Sequence, residues 1–112
     1  MSLVQEISAL ELKNLIDSNK KVAILDVREQ EELLISSLPS VTHIPLMQVE
    51  HSIELWRTAC EGADYRVVIC RSGVRSLKAA ELLTEELSLV HFNLSGGINA
   101  YAKQVDPSLQ TY

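Results

Sequence analysis

Arg66-Val67-Val68-Ile69-Cys70-Arg71-Ser72-Gly73-Val74-Arg75-Ser76 is an apolar run that passes without a break into a small, basic, glycine-bearing loop. A short continuous apolar run is the mark of a strand covered on both faces. Helical spacing takes over from Val74, with Leu77, Ala80, Leu83 and Leu87 on one side. Strand, tight loop and helix in that order define one half of a parallel βαβ unit. Ligands of such sheets gather at the carboxyl ends of the strands, where Cys70 stands.

Working outward, the same grammar repeats. Ser8 and Glu11 form a predicted capping box ahead of Leu10, Leu12, Leu15 and Ile16, and Lys20-Lys21 closes that helix. Val22 to Leu25 is a second buried strand that stops at Asp26-Val27-Arg28. Residues 29–36 suit a short helix, and Pro39 and Pro45 bracket a brief strand from Val41 to Ile44. Ile53 to Cys60 reads as a helix with Trp56 on its buried side. Leu89 to Phe92 reads as a strand, Gly96-Gly97 as a turn, and Ile98 to Val105 as a last helix halted before Pro107. The predicted fold is α/β: one domain over residues 1–112, its central parallel sheet of about five strands flanked by helices on both faces. Met1 to Leu3 are set apart as an end that need not belong to the domain.

Composition narrows the function. With 112 residues there is room for one core and not two. No apolar run approaches the roughly 20 residues of a membrane helix, and no signal peptide is legible, so a cytoplasmic protein without a membrane partner is expected. Ten bases against fifteen acids give a net charge of −5, which disfavours nucleic acid as a partner. Two cysteines and three scattered histidines make neither a disulfide framework nor a four-ligand zinc site, so no metal and no cofactor is expected.

Against that acidic background the segment 70–78 is locally basic, with Arg71, Arg75 and Lys78 and no acid. A loop closing into a helix start turns its N–H groups inward, and the helix dipole adds about half a positive charge. Gly73 supplies the positive φ that such a curl demands. A thiol at its head is expected to ionise readily, helped by the N–H dipoles and the guanidinium charge. Moving it from roughly 8.5 to 6.5 takes about 2.7 kcal/mol. Cys70 is therefore the candidate nucleophile, and Arg71, Ser72, Gly73, Val74, Arg75 and Ser76 the candidate binding loop. Arg75 is expected to bond loop carbonyls or a neighbouring carboxylate. Asp26 and Arg28, at the end of the adjoining strand, are expected to support the loop through hydrogen bonds. Cys60 reads as a quiet helix residue, His43, His51 and His91 as surface or satisfied core histidines, and Glu29 to Glu32 as a solvated helix start.

The Cys-x-x-Gly-x-Arg loop entering a helix resembles the active-site loop of the rhodanese sulfurtransferases. Leu25-Asp26-Val27-Arg28-Glu29, Pro39, Ile44-Pro45-Leu46 and Leu94-Ser95-Gly96-Gly97 with Tyr101 follow that family's landmarks in order. The ending, from Ala100-Tyr101-Ala102-Lys103 through Val105-Asp106-Pro107-Ser108-Leu109 to Tyr112, is similar to the C-terminal rhodanese domain of adenylyltransferase–sulfurtransferase fusions of molybdopterin and thiamine biosynthesis. Two stretches depart: Ser36-Ser37-Leu38-Pro39-Ser40 stands for the family's Gly-His-Ile-Pro-Gly, and Tyr101 for a frequent Trp.

The resemblance implies a persulfide on Cys70. Its sulfur would come from a small donor such as thiosulfate or from a cysteine desulfurase. It would pass to a nucleophile such as a ubiquitin-like sulfur carrier, with an adenylyltransferase domain in cis if the chain is a fragment of such a fusion. The other classes are a non-catalytic interaction module of the same homology and, more remotely, a cysteine phosphatase or arsenate reductase. Phosphate-binding cysteine loops place Arg after five intervening residues, whereas Arg75 follows Cys70 after four.

Overall fold

The structure, a computed structural model, describes residues 3–112. Met1 and Ser2, part of the end set apart above, lie outside the described residues, and Leu3 is exposed. The elements in chain order are β1 (Gln5–Ile7), α1 (Ala9–Ile16), β2 (Val22–Asp26), α2 (Gln30–Leu33), β3 (Thr42–His43), α3 (Leu46–Val49), α4 (Ile53–Ala59), β4 (Tyr65–Ile69), α5 (Val74–Leu87), β5 (Phe92–Leu94) and α6 (Gly97–Gln104). All the strand pairings are parallel, in the order β1-β5-β4-β2-β3. β4 is thus central, and the loop that follows it emerges in the middle of the sheet's carboxyl edge.

Alternation along the strands divides the interior in two. Leu25, Val27, Val68 and Cys70 face one layer, packed with Val49 of α3, Trp56 of α4 and Ala79, Ala80 and Leu83 of α5. Ile24, Val67, Ile69 and Leu94 face the other, packed with Ala9 and Leu12 of α1 and Ile98 and Tyr101 of α6. Both faces of the central strands are therefore dry, which is why they read as unbroken apolar runs rather than alternating ones. The Ser8–Glu11 capping box is present with both reciprocal bonds.

Several expected boundaries shift for identifiable reasons. The strand expected at Leu89–Phe92 begins only at Phe92. Ser88 caps α5 in the left-handed conformation, and His91 N–H is taken by the Thr84 hydroxyl at 3.1 Å. The helix expected over 29–36 stops after one turn, because Arg28 draws the carbonyls of Glu32 and Ser36 toward its guanidinium at 3.3 and 2.8 Å. β1 was not expected; it is a three-residue edge strand beside β5. α3 was not expected either, and is a single turn launched from Pro45.

His91 is a satisfied core histidine, fully buried. Trp56 donates its indole N–H to His91 Nε2 at 2.9 Å, which leaves Nδ1 to donate to the Leu89 carbonyl at 2.7 Å. Burial pushes the imidazole down to about 4. In the unfolded chain it titrates near 6.5, so its contribution is complete above that pH and is lost as pH falls toward 4. The expected loss between pH 7 and pH 5 is about 2 kcal/mol. Urea unfolding followed by Trp56 fluorescence at the two pH values checks this: His91→Gln should remove that share of the pH dependence, and an unchanged slope would refute it.

Candidate functional site

Cys70 sits one residue beyond β4, almost fully buried, with its side chain against α5. The chain turns sharply through Arg71 and Ser72, both exposed, to Gly73, whose φ of +102° is the left-handed geometry that glycine adopts without strain. α5 starts at Val74, whose side chain points to solvent. Gly73 N–H donates to Cys70 Sγ at 3.1 Å, and the Ser76 hydroxyl lies 3.2 Å from the same sulfur. Burial pushes the thiol up. The Ser76 hydroxyl and the N–H groups of Ser76, Gly73 and Ser72 outweigh it and bring Cys70 below its ordinary 9.0. Amides and a hydroxyl are thus the chief cause of the lowering, and the Arg75 guanidinium also interacts electrostatically with the sulfur.

The inward set of those amides is held from behind. Ile98 N–H donates to the Cys70 carbonyl at 2.8 Å and Asn99 N–H to the Arg71 carbonyl at 3.3 Å, so the start of α6 binds the outer side of the loop. Gly97 makes this approach possible: its φ is +63°, and a Cβ there would collide with the carbonyls of Arg71 and Cys70. Asn93 of β5 braces the other side. Its Nδ2 donates to the Gly73 carbonyl at 3.0 Å, and its Oδ1 accepts from the Ser76 hydroxyl at 2.5 Å. Ser76 has one proton and two acceptors, so a thiolate on Cys70 competes with Asn93 for it.

Arg75 makes a two-pronged ion pair with Glu32, at 2.7 and 2.8 Å. Those bonds hold the Glu32 carboxyl at about 2. Glu32 is therefore a structural partner of the loop and not the solvated residue expected. Asp26 and Arg28, both fully buried, form a second two-pronged pair at 2.7–3.1 Å. Their guanidinium also reaches the hydroxyl of Tyr112 at 3.0 Å, and that hydroxyl donates to Glu32 at 2.8 Å. Among the described residues, the side chains of Asp26 and Arg28 connect to the loop's Arg75 through Tyr112 and Glu32. Arg71 lies with its guanidinium carbon 4.7 Å from the centre of the Tyr112 ring.

Three participants, Glu32, Asn93 and Tyr112, escaped the sequence reading. Asn93 alone carried a signal, as an amide within a short apolar strand. Cys60 is buried, its thiol 3.7 Å from the Arg57 carbonyl, and burial pushes that thiol up. Among the described residues, no group of three or more His, Cys, Asp or Glu side chains is placed to hold a metal ion. No helix among them is long and apolar enough to cross a membrane.

A parallel α/β sheet with a cysteine-headed loop whose donors face the sulfur, set at the central strand, defines the class of protein. Residues 8–104 match the model of the rhodanese-like domain. The chain belongs to that family. YtwF of Bacillus subtilis (strain 168), a sulfurtransferase by provisional name, is 32% identical over 104 residues, covering 93% of this chain and 96% of the relative. The pig (Sus scrofa) adenylyltransferase and sulfurtransferase MOCS3 is 34% identical over 128 residues, covering all of this chain. The chain spans only 28% of that relative's length. Among solved structures, a rhodanese-like domain protein from Staphylococcus aureus superposes with a TM-score of 0.77 at 28% identity, covering 97% of this chain and 99% of that one.

The close approach of Gly97 is testable against a glycine with equal backbone strain and open space. Gly62 has a φ of +75°, with nothing nearer to a built Cβ than the flexible end of Lys21 at 3.7 Å. Gly62→Ala should cost about 1 kcal/mol of unfolding free energy. Gly97→Ala should cost about 3 kcal/mol or more, because the clash adds to the strain. Equal losses in urea titrations would show that α6 does not press on the loop.

Proposed function

We propose that the chain is a sulfurtransferase that works through a persulfide on Cys70. The observation carrying this reading is the convergence of loop amides and the Ser76 hydroxyl on one sulfur atom at the start of α5. The thiolate attacks the outer sulfur of a donor. With thiosulfate, the new Cys70 S–S bond forms as the donor's S–S bond breaks, and sulfite leaves with the electron pair. The terminal persulfide sulfur then passes to a second nucleophile, regenerating the Cys70 thiolate, in a double displacement. The amides that stabilise the thiolate are placed to stabilise the anionic persulfide as well, so the enzyme form between the two half-reactions is held by the same groups.

Arg71, exposed and next to Cys70 in the chain, supplies cationic attraction for an anionic donor, while Arg75 is occupied by Glu32 and keeps α2 against the loop. Ser72 and Val74 contribute backbone and accessibility rather than side-chain chemistry. The kinship with MOCS3, and the ending shared with that class, support a ubiquitin-like sulfur carrier as acceptor and an adenylyltransferase as functional partner, with a cysteine desulfurase as a source of sulfur. Two free cysteines fit a reducing cytoplasmic setting.

Incubation with thiosulfate followed by intact and peptide mass spectrometry tests the reading. The expected result is a gain of about 32 Da on Cys70, the mass of one sulfur, with thiocyanate released on adding cyanide and both lost in Cys70→Ser. An unmodified Cys70 with no thiocyanate would favour a binding module. Turnover of a phosphotyrosine analogue that depends on Cys70 would favour a phosphatase.

A further inference from the structure

Among the described residues, Tyr112 is the one side chain that touches both of these arginine–carboxylate pairs and also a cation of the loop. Its hydroxyl accepts from Arg28 at 3.0 Å and donates to Glu32 at 2.8 Å. What places the ring is its backbone: Asn99 Nδ2 donates to the Tyr112 main-chain oxygen at 2.8 Å, and Tyr112 N–H donates to Asn99 Oδ1 at 3.2 Å. Asn99 belongs to the first turn of α6, the turn that binds the loop carbonyls from behind. The ring is therefore anchored to the loop's own support, and Arg71 lies over it at 4.7 Å.

The charge inventory gives that stacking a purpose. Among the described residues Arg75 is neutralised by Glu32 and Arg28 by Asp26, whereas Arg71 enters no ion pair. Arg71 is also exposed, and an exposed arginine beside solvent samples many rotamers unless something holds it. An aromatic face holds a guanidinium without neutralising it, leaving its N–H edge free for an anion. We propose that Tyr112 is a positioning residue for anionic donors: it holds Arg71 at the Cys70 loop as an unpaired anion receptor. The proposal rests on the sulfur-transfer reading of Cys70 only for the identity of the anion.

The experiment compares Tyr112→Ala, Tyr112→Phe and Arg71→Ala by thiocyanate formation from thiosulfate and cyanide. Tyr112→Phe keeps the ring under Arg71 and loses the hydroxyl bonds; Tyr112→Ala loses both. The expected result is a KM for thiosulfate about 3- to 5-fold higher in Tyr112→Ala, with kcat within about twofold of the parent. Tyr112→Phe should stay within about twofold of the parent KM, and Tyr112→Ala should add nothing in the Arg71→Ala background. An unchanged KM in Tyr112→Ala, an equal rise in Tyr112→Phe, or a full further rise in the Arg71→Ala background would each overturn the proposal.

A second readout separates its failure from failure of the sulfur-transfer reading. The ratio of Cys70 alkylation rates by iodoacetate and by the uncharged iodoacetamide reports delivery of an anion to the sulfur whether or not sulfur is transferred. It should fall by similar factors in Arg71→Ala and Tyr112→Ala and hold in Tyr112→Phe. Without thiosulfate turnover in the parent protein the donor assignment falls, and this ratio alone decides the role of Tyr112: a ratio unmoved in Tyr112→Ala ends it.

Discussion

The site depends on three carbonyls being turned away. A seven-residue loop has as many carbonyls as amides, and the two kinds of dipole would cancel at its centre if both pointed inward. The first turn of α6 breaks the tie by taking the carbonyls of Cys70 and Arg71 on its own amides. Asn93 takes that of Gly73. What is left facing the sulfur is a set of N–H donors and one hydroxyl, a hole lined by donors and made by subtraction. The parallel sheet is what brings the donors together. β5 lies beside β4, so the segments after both strands, Cys70 onward and Ser95 to Gly97, emerge at the same edge and can interlock.

Charge is arranged around this hole at graded distances. Cys70 is lowered from its ordinary value chiefly by dipoles, which solvent and salt screen less than exposed charges because they lie against the sulfur. Arg75 is one layer out, and its charge is balanced by Glu32. Asp26 and Arg28 form a deeper pair that adds little net stability of its own, since the cost of desolvating both ions offsets most of their attraction. Its effect is organisational: Arg28 gathers the carbonyls of Glu32 and Ser36, ends α2 after a single turn, and so delivers the Glu32 carboxylate to Arg75. Arg71 remains as the loop's unneutralised charge at the surface.

The parts of the molecule legible from sequence are those set by local rules. Buried strands announce themselves as apolar runs, the Ser8–Glu11 box marks a helix start, and Cys70 followed by Gly73 and Ser76 marks a loop that curls about a sulfur. Glu32, Asn93 and Tyr112 answer to tertiary geometry instead. Glu32 sits among acids that look solvated until Arg28 bends the chain beneath them. Tyr112 lies 84 positions from Arg28, a pairing that no local pattern encodes. Gly97 was legible as a turn residue, but its deeper reason, contact with the carbonyls of Cys70 and Arg71, appears only when β4 and β5 are side by side. β5 itself was misplaced because Leu89 and Val90 look like strand residues, while the left-handed Ser88 forces them into the turn.

The most direct measurement of this account is the titration of Cys70, read as the pH dependence of its thiolate absorbance in the Cys60→Ser protein, with and without Ser76→Ala. If converging donors overcome burial, the midpoint lies below the ordinary thiol value of 9.0 and moves upward when the Ser76 hydroxyl is removed. A midpoint at or above 9.0, or one indifferent to Ser76, would mean that the loop does not stabilise an anion on that sulfur.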